Sequence, residues 1–247
     1  MNKVALVTGA SKGLGVEIVK ALIGDGYKVV MTSSSRKGVD LVAGELGLEY
    51  DKYRTLALDV RDKSDFENAL SFCIEEFGSC ELLVNNAAIT PTTDVMEITP
   101  EEFSEVVDTN LRGTFLGCQV FGKYLAGKNY GRIVNISSLA GQMGGTASGA
   151  HYAASKAGII TLTKIFARKL APLGVTVNSI APGPIDVPSM SEKLSAQQLE
   201  DIVNNAIPVK ALSSAKYIAD MVVMLARKDA ETVTGATWDI NGGIYMR

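Results

Sequence analysis

The chain is poor in the residues that staple or decorate small proteins: among 247 positions there are one histidine, three cysteines, one tryptophan and seven prolines. Each scarcity excludes something. Cys73, Cys80 and Cys118 are odd in number and apart in sequence, and His151 stands alone, so neither a disulfide framework nor a zinc cluster is supported and no metal is expected. The thiols read as core residues. Charge is nearly balanced, 24 Lys and Arg against 27 Asp and Glu for a formal −3, without a block of basic residues. This argues against nucleic acid or an anionic membrane as a partner. The opening MNKVALVTGA has too short an apolar stretch for a signal-peptide core, and nothing later approaches about 18 uninterrupted apolar residues. The expectation is a cytoplasmic protein.

What the chain does have is 47% hydrophobic residues and 24 glycines, enough apolar content for one folded domain over 1–247 with many tight backbone positions. VALV leads directly into TGASKGLG and then a periodic apolar segment, which reads as strand, glycine-rich turn and helix. Further strands are expected at 28–31, in RTLALD ending at Asp59, and at 81–85, 132–137, 175–180 and 235–240. Between them lie helical stripes. Phe66, Leu70, Cys73 and Phe77 form one. Thr99 followed by Pro100, Glu101 and Glu102 marks a helix start carrying Phe103, Val106 and Val107 inward. A helix is expected over about 111–127, and Ile159, Leu162, Phe166, Leu170 and Leu173 give another its buried face. Two more segments, near 195–205 and 213–227, read as helical. Strand and helix alternate throughout, which predicts an α/β fold: a Rossmann-type, doubly wound, seven-stranded parallel sheet with helices on both faces.

Gly9, Gly13 and Gly15 lack the spacing of the common dinucleotide fingerprint, yet they follow the first strand and open a helix. There small residues let backbone amides approach a pyrophosphate, and the helix end favours its charge. A purely structural turn is the alternative. At the end of the second strand an NAD site commonly has an acid, whereas here the run is TSSSRKG. Ser33, Ser34 and Ser35 offer hydroxyls, and Lys12, Arg36 and Lys37 offer cations to a 2′-phosphate, so NADPH/NADP+ is favoured over NAD(H). Arg36 and Lys37 also read simply as solvated loop residues. Asp59, at the end of strand three, is placed to accept from adenine, although an exposed strand-end acid needs no ligand to explain it.

Further along the chain stand Tyr152 and Lys156, four apart and so on one helix face. A phenol is a poor base at its ordinary pKa of about 10. A neighbouring ammonium stabilises the phenolate and is expected to bring that value toward the working pH. Ser138, closing strand five, is placed to hold a substrate oxygen. A Tyr and a Lys four apart are common, and the pair alone decides little.

Taken in order, TGASKGLG, NNAA at 85–88, Asn110, Ser137 and Ser138, Tyr152 with Lys156, and PGPI at 182–185 resemble the classical short-chain dehydrogenase/reductase family over practically the whole chain. The resemblance implies a catalytic set of Asn110, Ser138, Tyr152 and Lys156. In it Ser138 positions the carbonyl, Tyr152 transfers the proton, Lys156 contacts the nicotinamide ribose, and Asn110 holds a water of the proton relay. It also places Gly9, Ser11, Lys12, Gly13, Leu14 and Gly15 around phosphate and ribose. Asp59 and Val60 approach adenine, Asn86 and Ala87 line the cleft, and Pro182, Gly183 and Ile185 flank the nicotinamide. Where the family often has a threonine, this chain has Val187, and Ser189 is the candidate replacement. No catalytic role is expected for His151, read as a turn or surface residue, or for Asp186 and Glu192, read as solvated lid groups.

The ending VTGATWDINGGIYMR is similar to that of 3-oxoacyl-acyl-carrier-protein reductases within the family. This implies NADPH-dependent reduction of a 3-oxoacyl thioester to the 3-hydroxyacyl form, in a homotetramer whose interface the last strand and tail complete, with 187–212 as a substrate lid. Two departures stand against the carrier-protein substrate. PVKALSS at 208–214 lacks a Gly-Arg pair, and Leu173 occupies a position that is often basic. Lys128, Arg132, Arg168 and Lys169 are the candidate patch for an acidic carrier protein, or simply solvated charges. The alternatives are a reductase of an acyl-CoA, free ketone, sugar derivative or polyketide, and a nonenzymatic NADP-sensing protein.

Overall fold

Short apolar runs bounded by polar and glycine positions become the strands of a single parallel sheet. The computed structural model describes residues 3–145, 149–188 and 195–246. The strands are β1 Val4–Val7, β2 Lys28–Ser33, β3 Tyr53–Ala57, β4 Leu82–Asn85, β5 Gly131–Ile136, β6 Val175–Pro182 and, after a two-residue ladder of β7 Ile185–Asp186 with β8 Ser213–Ser214, β9 Thr237–Ile240. The sheet order is β3-β2-β1-β4-β5-β6-β9, all parallel, with the order of strand addition reversing between β1 and β4. Both faces are covered. Within β1, Ala5 and Val7 point into one core and Val4 and Leu6 into the other, as the two-residue period of a strand requires.

The first core is closed by α1 Gly13–Gly24, α2 Arg36–Glu45 and α9 Ala215–Ala226, through side chains such as Ile18, Leu22, Val39, Ile218 and Val222. The second is closed by α3 Lys63–Phe77, α5 Gly113–Lys128 and α7 Ala150–Leu170, through Phe66, Cys73, Cys118, Phe121 and Leu170. Helix α4 Pro100–Val107 starts where expected: Thr99 accepts from the Glu102 amide at 3.2 Å, with Pro100 in the first turn. It runs through a π turn at Asp108–Arg112 into α5, so the segment expected over 111–127 is the second half of one continuous helical run. Two short helices complete the description, α6 Ala140–Met143 and α8 Ala196–Asp201.

Several local expectations are corrected. Arg36 and Lys37 begin α2 and do not lie in a loop. Phe103 is 44% exposed and Leu173, beyond the end of α7, is 39% exposed, so neither belongs to the buried stripe assigned to it. Arg132 is buried in β5. Its guanidinium donates to the Arg227 and Lys228 carbonyls at 3.2 and 3.1 Å and stacks on Tyr130, which removes it from any surface patch; Lys128, Arg168 and Lys169 are exposed. The three cysteines are buried, and desolvation pushes the Cys118 thiol up to about 12, the behaviour of an inert core thiol. No helix among the described residues is long and apolar enough to cross a membrane.

Candidate active site

The strand order reverses between β1 and β4, and a crevice opens beyond the carboxyl ends of those strands, where α/β sheets bind ligands. The cleft holds about 600 Å³. One wall is fixed by Thr8, a buried residue whose hydroxyl accepts from the Asn86 and Ala87 amides, both at 3.0 Å, and donates to the Val84 carbonyl at 3.3 Å. Asn86 returns the bond: its side-chain amide donates to the Thr8 and Gly9 carbonyls at 2.9 and 3.0 Å. The turn after β1 is thereby riveted to the exit of β4. Gly9 has φ +66°, and a Cβ there would lie 2.7 Å from Ala87 Cα. At Gly15 a Cβ would lie 2.2 Å from the Gly9 carbonyl oxygen. Both glycines are demanded by close packing, whereas Gly13, at φ +56°, faces open space at the mouth of α1.

The start of α1 has no side-chain cap and no acidic residue in its first turn. Its free amides and the positive end of its dipole therefore point into the cleft beside Ser11 and Lys12, a donor set that fits a pyrophosphate. Leu14, Ser33, Ser34, Asp59 and Val60 line the same half, and Asn86, Ala87, Pro182, Gly183 and Ile185 continue the wall. The residues present thus fit a dinucleotide. Arg36 does not line the cleft; it is exposed on α2, with Nε 3.7 Å from an Asp40 oxygen. A different cation does. Arg61 lies in the lining and pairs with Asp59 at 2.6 Å, holding that carboxyl below its usual range.

Ser138, Tyr152 and Lys156 meet at the other half of the cleft. Tyr152 sits in the first turn of α7 and Lys156 one turn later, with Nζ 5.6 Å from the ring centroid. Lys156 is buried, donates to the Ile136 carbonyl at 2.7 Å, and is pushed down to about 8 by desolvation. The phenol of Tyr152 stands above its ordinary value in the protein alone, because burial outweighs the stabilisation of its anion by Ser138 and Thr90. The lowering expected from the lysine is not the prevailing effect, since that ammonium is directed at a backbone carbonyl. Of the two serines closing β5, Ser137 is tied to the Ile180 carbonyl at 2.9 Å, while Ser138 Oγ, half-buried, accepts only from the Ala140 amide at 3.1 Å among the bonds described.

Asn110 lies in the π turn, fully buried and outside the cleft lining. Its Oδ1 accepts from the Ile89 amide at 2.9 Å, and its Nδ2 donates to the Ile89 carbonyl at 3.0 Å and to Ser155 Oγ at 3.2 Å. These bonds make it a fastener of the loop after β4. Val187 lines the cleft, Asp186 is exposed, and Ser189 and Glu192 lie outside the described residues. His151 overturns its surface reading: it is completely buried, 3.1 Å from Glu102. Thr8, Thr90 and Arg61 escaped the sequence argument. Only Thr8, next to Gly9, and Arg61, two residues from Asp59, had positional signals. Among the described residues no group of three His, Cys, Asp or Glu side chains is placed to hold a metal ion.

Comparison with known proteins bears on this geometry. The sequence profile of the short chain dehydrogenases matches residues 3–199. The chain belongs to that family. It is similar to the 3-oxoacyl-[acyl-carrier-protein] reductase FabG of Vibrio cholerae serotype O1, at 39% identity over 245 residues covering 99% of this chain and 98% of that protein. The enzyme of the same name from Escherichia coli K12 is 38% identical over the same shares, and that of Staphylococcus epidermidis is 38% identical over the whole of both chains. As a short-chain dehydrogenase the protein is an oxidoreductase of the NAD(P)(H)-dependent type, which leaves the nonenzymatic sensor without support.

Proposed function

We propose that the protein uses NADPH to reduce a 3-oxoacyl thioester, carried on acyl-carrier protein, to the 3-hydroxyacyl form. The observation that carries the reading is the convergence of Ser138, Tyr152 and Lys156 at one end of a dinucleotide-sized cleft, in a chain that matches three enzymes of that name almost end to end. When bound, the reduced nicotinamide supplies the hydride. The protein does the rest. Ser138 Oγ holds the ketone oxygen beside Tyr152, whose hydroxyl gives that oxygen its proton as negative charge develops there. Lys156, fixed by Ile136, holds the ribose of the nicotinamide half and supplies positive charge below the phenol. Asn110 acts from behind, by fixing Ile89.

The absence of a carboxylate at the end of β2, with Ser33, Ser34 and Lys12 in the lining, supports NADPH; Arg36 joins them only by leaving Asp40. The segment 187–212, of which 189–194 lie outside the described residues, serves as a lid, and its flanks are tied by the β7–β8 ladder. A homotetramer in the cytoplasm is part of the same reading.

The test is a matched assay of a 3-oxoacyl-carrier protein, the corresponding CoA thioester and simple ketones, each with NADPH and NADH. The reading expects the carrier-protein substrate and NADPH to be preferred, and turnover to fall roughly 10²–10⁴-fold in Tyr152→Phe with NADPH binding kept. Activity confined to CoA thioesters or simple ketones, or a preference for NADH, refutes the corresponding part.

A further inference from the structure

The helix that carries Tyr152 begins without an ordinary cap. Its flanking residue is Gly149, which has no side chain to accept from the first-turn amides. The Tyr152 amide instead donates to Nδ1 of His151 at 3.0 Å, an acceptor supplied from inside the helix. Gly149 makes room for this, because a Cβ there would lie 2.2 Å from His151 Cε1. With Nδ1 accepting, the neutral ring carries its proton on Nε2. That nitrogen faces Glu102 Oε1 at 3.1 Å, and the same oxygen accepts from Thr93 Oγ1 at 2.6 Å. Glu102 belongs to the first turn of α4. Thr93 belongs to the loop after β4, which also carries Thr90, one of the two hydroxyls beside the Tyr152 phenol. The ring is completely buried and stacks on Phe103, with centroids 6.5 Å apart.

We propose that His151 is a positioning residue for Tyr152. It caps the helix start from within and, through Glu102 and Thr93, fixes that start to the loop bearing Thr90, so that the phenol, Thr90 and Ser138 keep one mutual geometry. A serine or aspartate at position 149 would satisfy a first-turn amide as well, but it would give no link to α4. The histidine does both, and this link is what a purely structural cap lacks. The inference rests on Tyr152 being the proton donor of the proposed reaction, and its test is built to separate the two.

His151→Phe keeps the ring volume and the stacking on Phe103 while removing both nitrogens. His151→Asn places Oδ1 where Nδ1 stood, so it restores the acceptor for the Tyr152 amide but does not reach Glu102. Two readouts are taken. Amide exchange over 149–156 in the nucleotide-free protein is expected to quicken at Tyr152 in the Phe variant and to return toward wild type in the Asn variant. For whichever carbonyl substrate the enzyme turns over, kcat is expected to fall about 10- to 100-fold in His151→Phe, with the Kd of NADPH within about two-fold, and to recover in part in His151→Asn. Glu102→Ala combined with His151→Phe is expected to cost no more than the worse single change, because both break one network. Equal kcat loss in the Phe and Asn variants, a kcat unaffected by either, or fully multiplicative losses in the double variant overturns the proposal. Exchange needs no substrate, so unchanged exchange at Tyr152 in His151→Phe overturns it even if the oxoacyl reading has failed, and altered exchange supports the cap on its own.

Discussion

Lys156 makes the protein less stable than it would be with an apolar side chain, and the size of that penalty follows from its surroundings. The amine is buried and its pKa is lowered from 10.5 to about 8. At about 1.4 kcal/mol per decade, holding the ammonium inside the fold at pH 7 costs about 3 kcal/mol. Replacement by methionine, similar in length and apolar, removes that cost and forfeits the 2.7 Å hydrogen bond to the Ile136 carbonyl, worth about 1 kcal/mol. Lys156→Met is therefore expected to be inactive and yet more stable, by about 2 kcal/mol at pH 7 or roughly 4–8 °C in Tm for a domain of this size. The pH dependence carries the sign. Because the folded value lies below the unfolded one, the penalty is complete below about pH 8. Between there and 10.5 the unfolded chain binds more protons than the native one, so wild-type stability rises with pH relative to the variant. The assay is thermal unfolding of both proteins, nucleotide-free and at one protein concentration, at pH 7 and pH 10. A variant that melts below wild type at pH 7, or a gap that is the same at both pH values, refutes the reasoning.

Three further outcomes are expected. Gly15→Ala, whose new methyl would meet the Gly9 carbonyl and Asn86, should lose about 1–3 kcal/mol and weaken NADPH binding, whereas Gly24→Ala at the other end of α1, in open space, should gain about 0.5–1 kcal/mol; urea midpoints decide, and equal signs would count against the packing argument. Arg132→Ala strips the donor from two carbonyls beyond α9 and the plane stacked on Tyr130; a loss of about 2–4 kcal/mol in urea unfolding is expected, and a neutral change would show that the buried guanidinium carries nothing. Ser34→Asp puts a carboxylate at the end of β2, and the ratio of kcat/KM for NADPH to that for NADH should drop at least about ten-fold; an unchanged ratio would locate the 2′-phosphate elsewhere.

The sheet was legible because parallel strands buried on both faces leave short continuous apolar runs, and VALV and the LLV of β4 carry that mark directly, whereas β6 buries Thr176, Asn178 and Ser179 among its apolar residues. The entry to α4 was equally plain, since Thr99, Pro100, Glu101 and Glu102 each suit a helix start for a separate reason. Helix α2 was not. Its ten residues include Gly38 and Gly44, poor helix formers, and it is held by packing of Val39 and Ala43 against the sheet, a tertiary contact with no local signature. The β7–β8 ladder, with two residues on each side, is too short for any period to show. The π turn at Asp108–Arg112 likewise has no sequence cue that we can name, although it is what directs Asn110 at Ile89.

The site divides along the same line. Candidate site residues that lie close in the chain, Tyr152 with Lys156 and Gly9 through Gly15, announced themselves; Thr90 and Glu102 join only because separate elements pack beside one another. His151 is the instructive case, because it lies next to Tyr152 and was still misplaced. Neighbours on a helix point their side chains about 100° apart, so adjacency rightly argues against two side chains sharing a task. In the first turn, however, the backbone amides have no partners of their own. The atom His151 serves is the amide nitrogen of Tyr152, and its phenol is not involved. For a residue at a helix start, the question to ask of the sequence is therefore which orphan amide its side chain can reach as well as which face it occupies. A short polar or imidazole side chain two residues after a glycine at that point is the pattern that would have pointed inward.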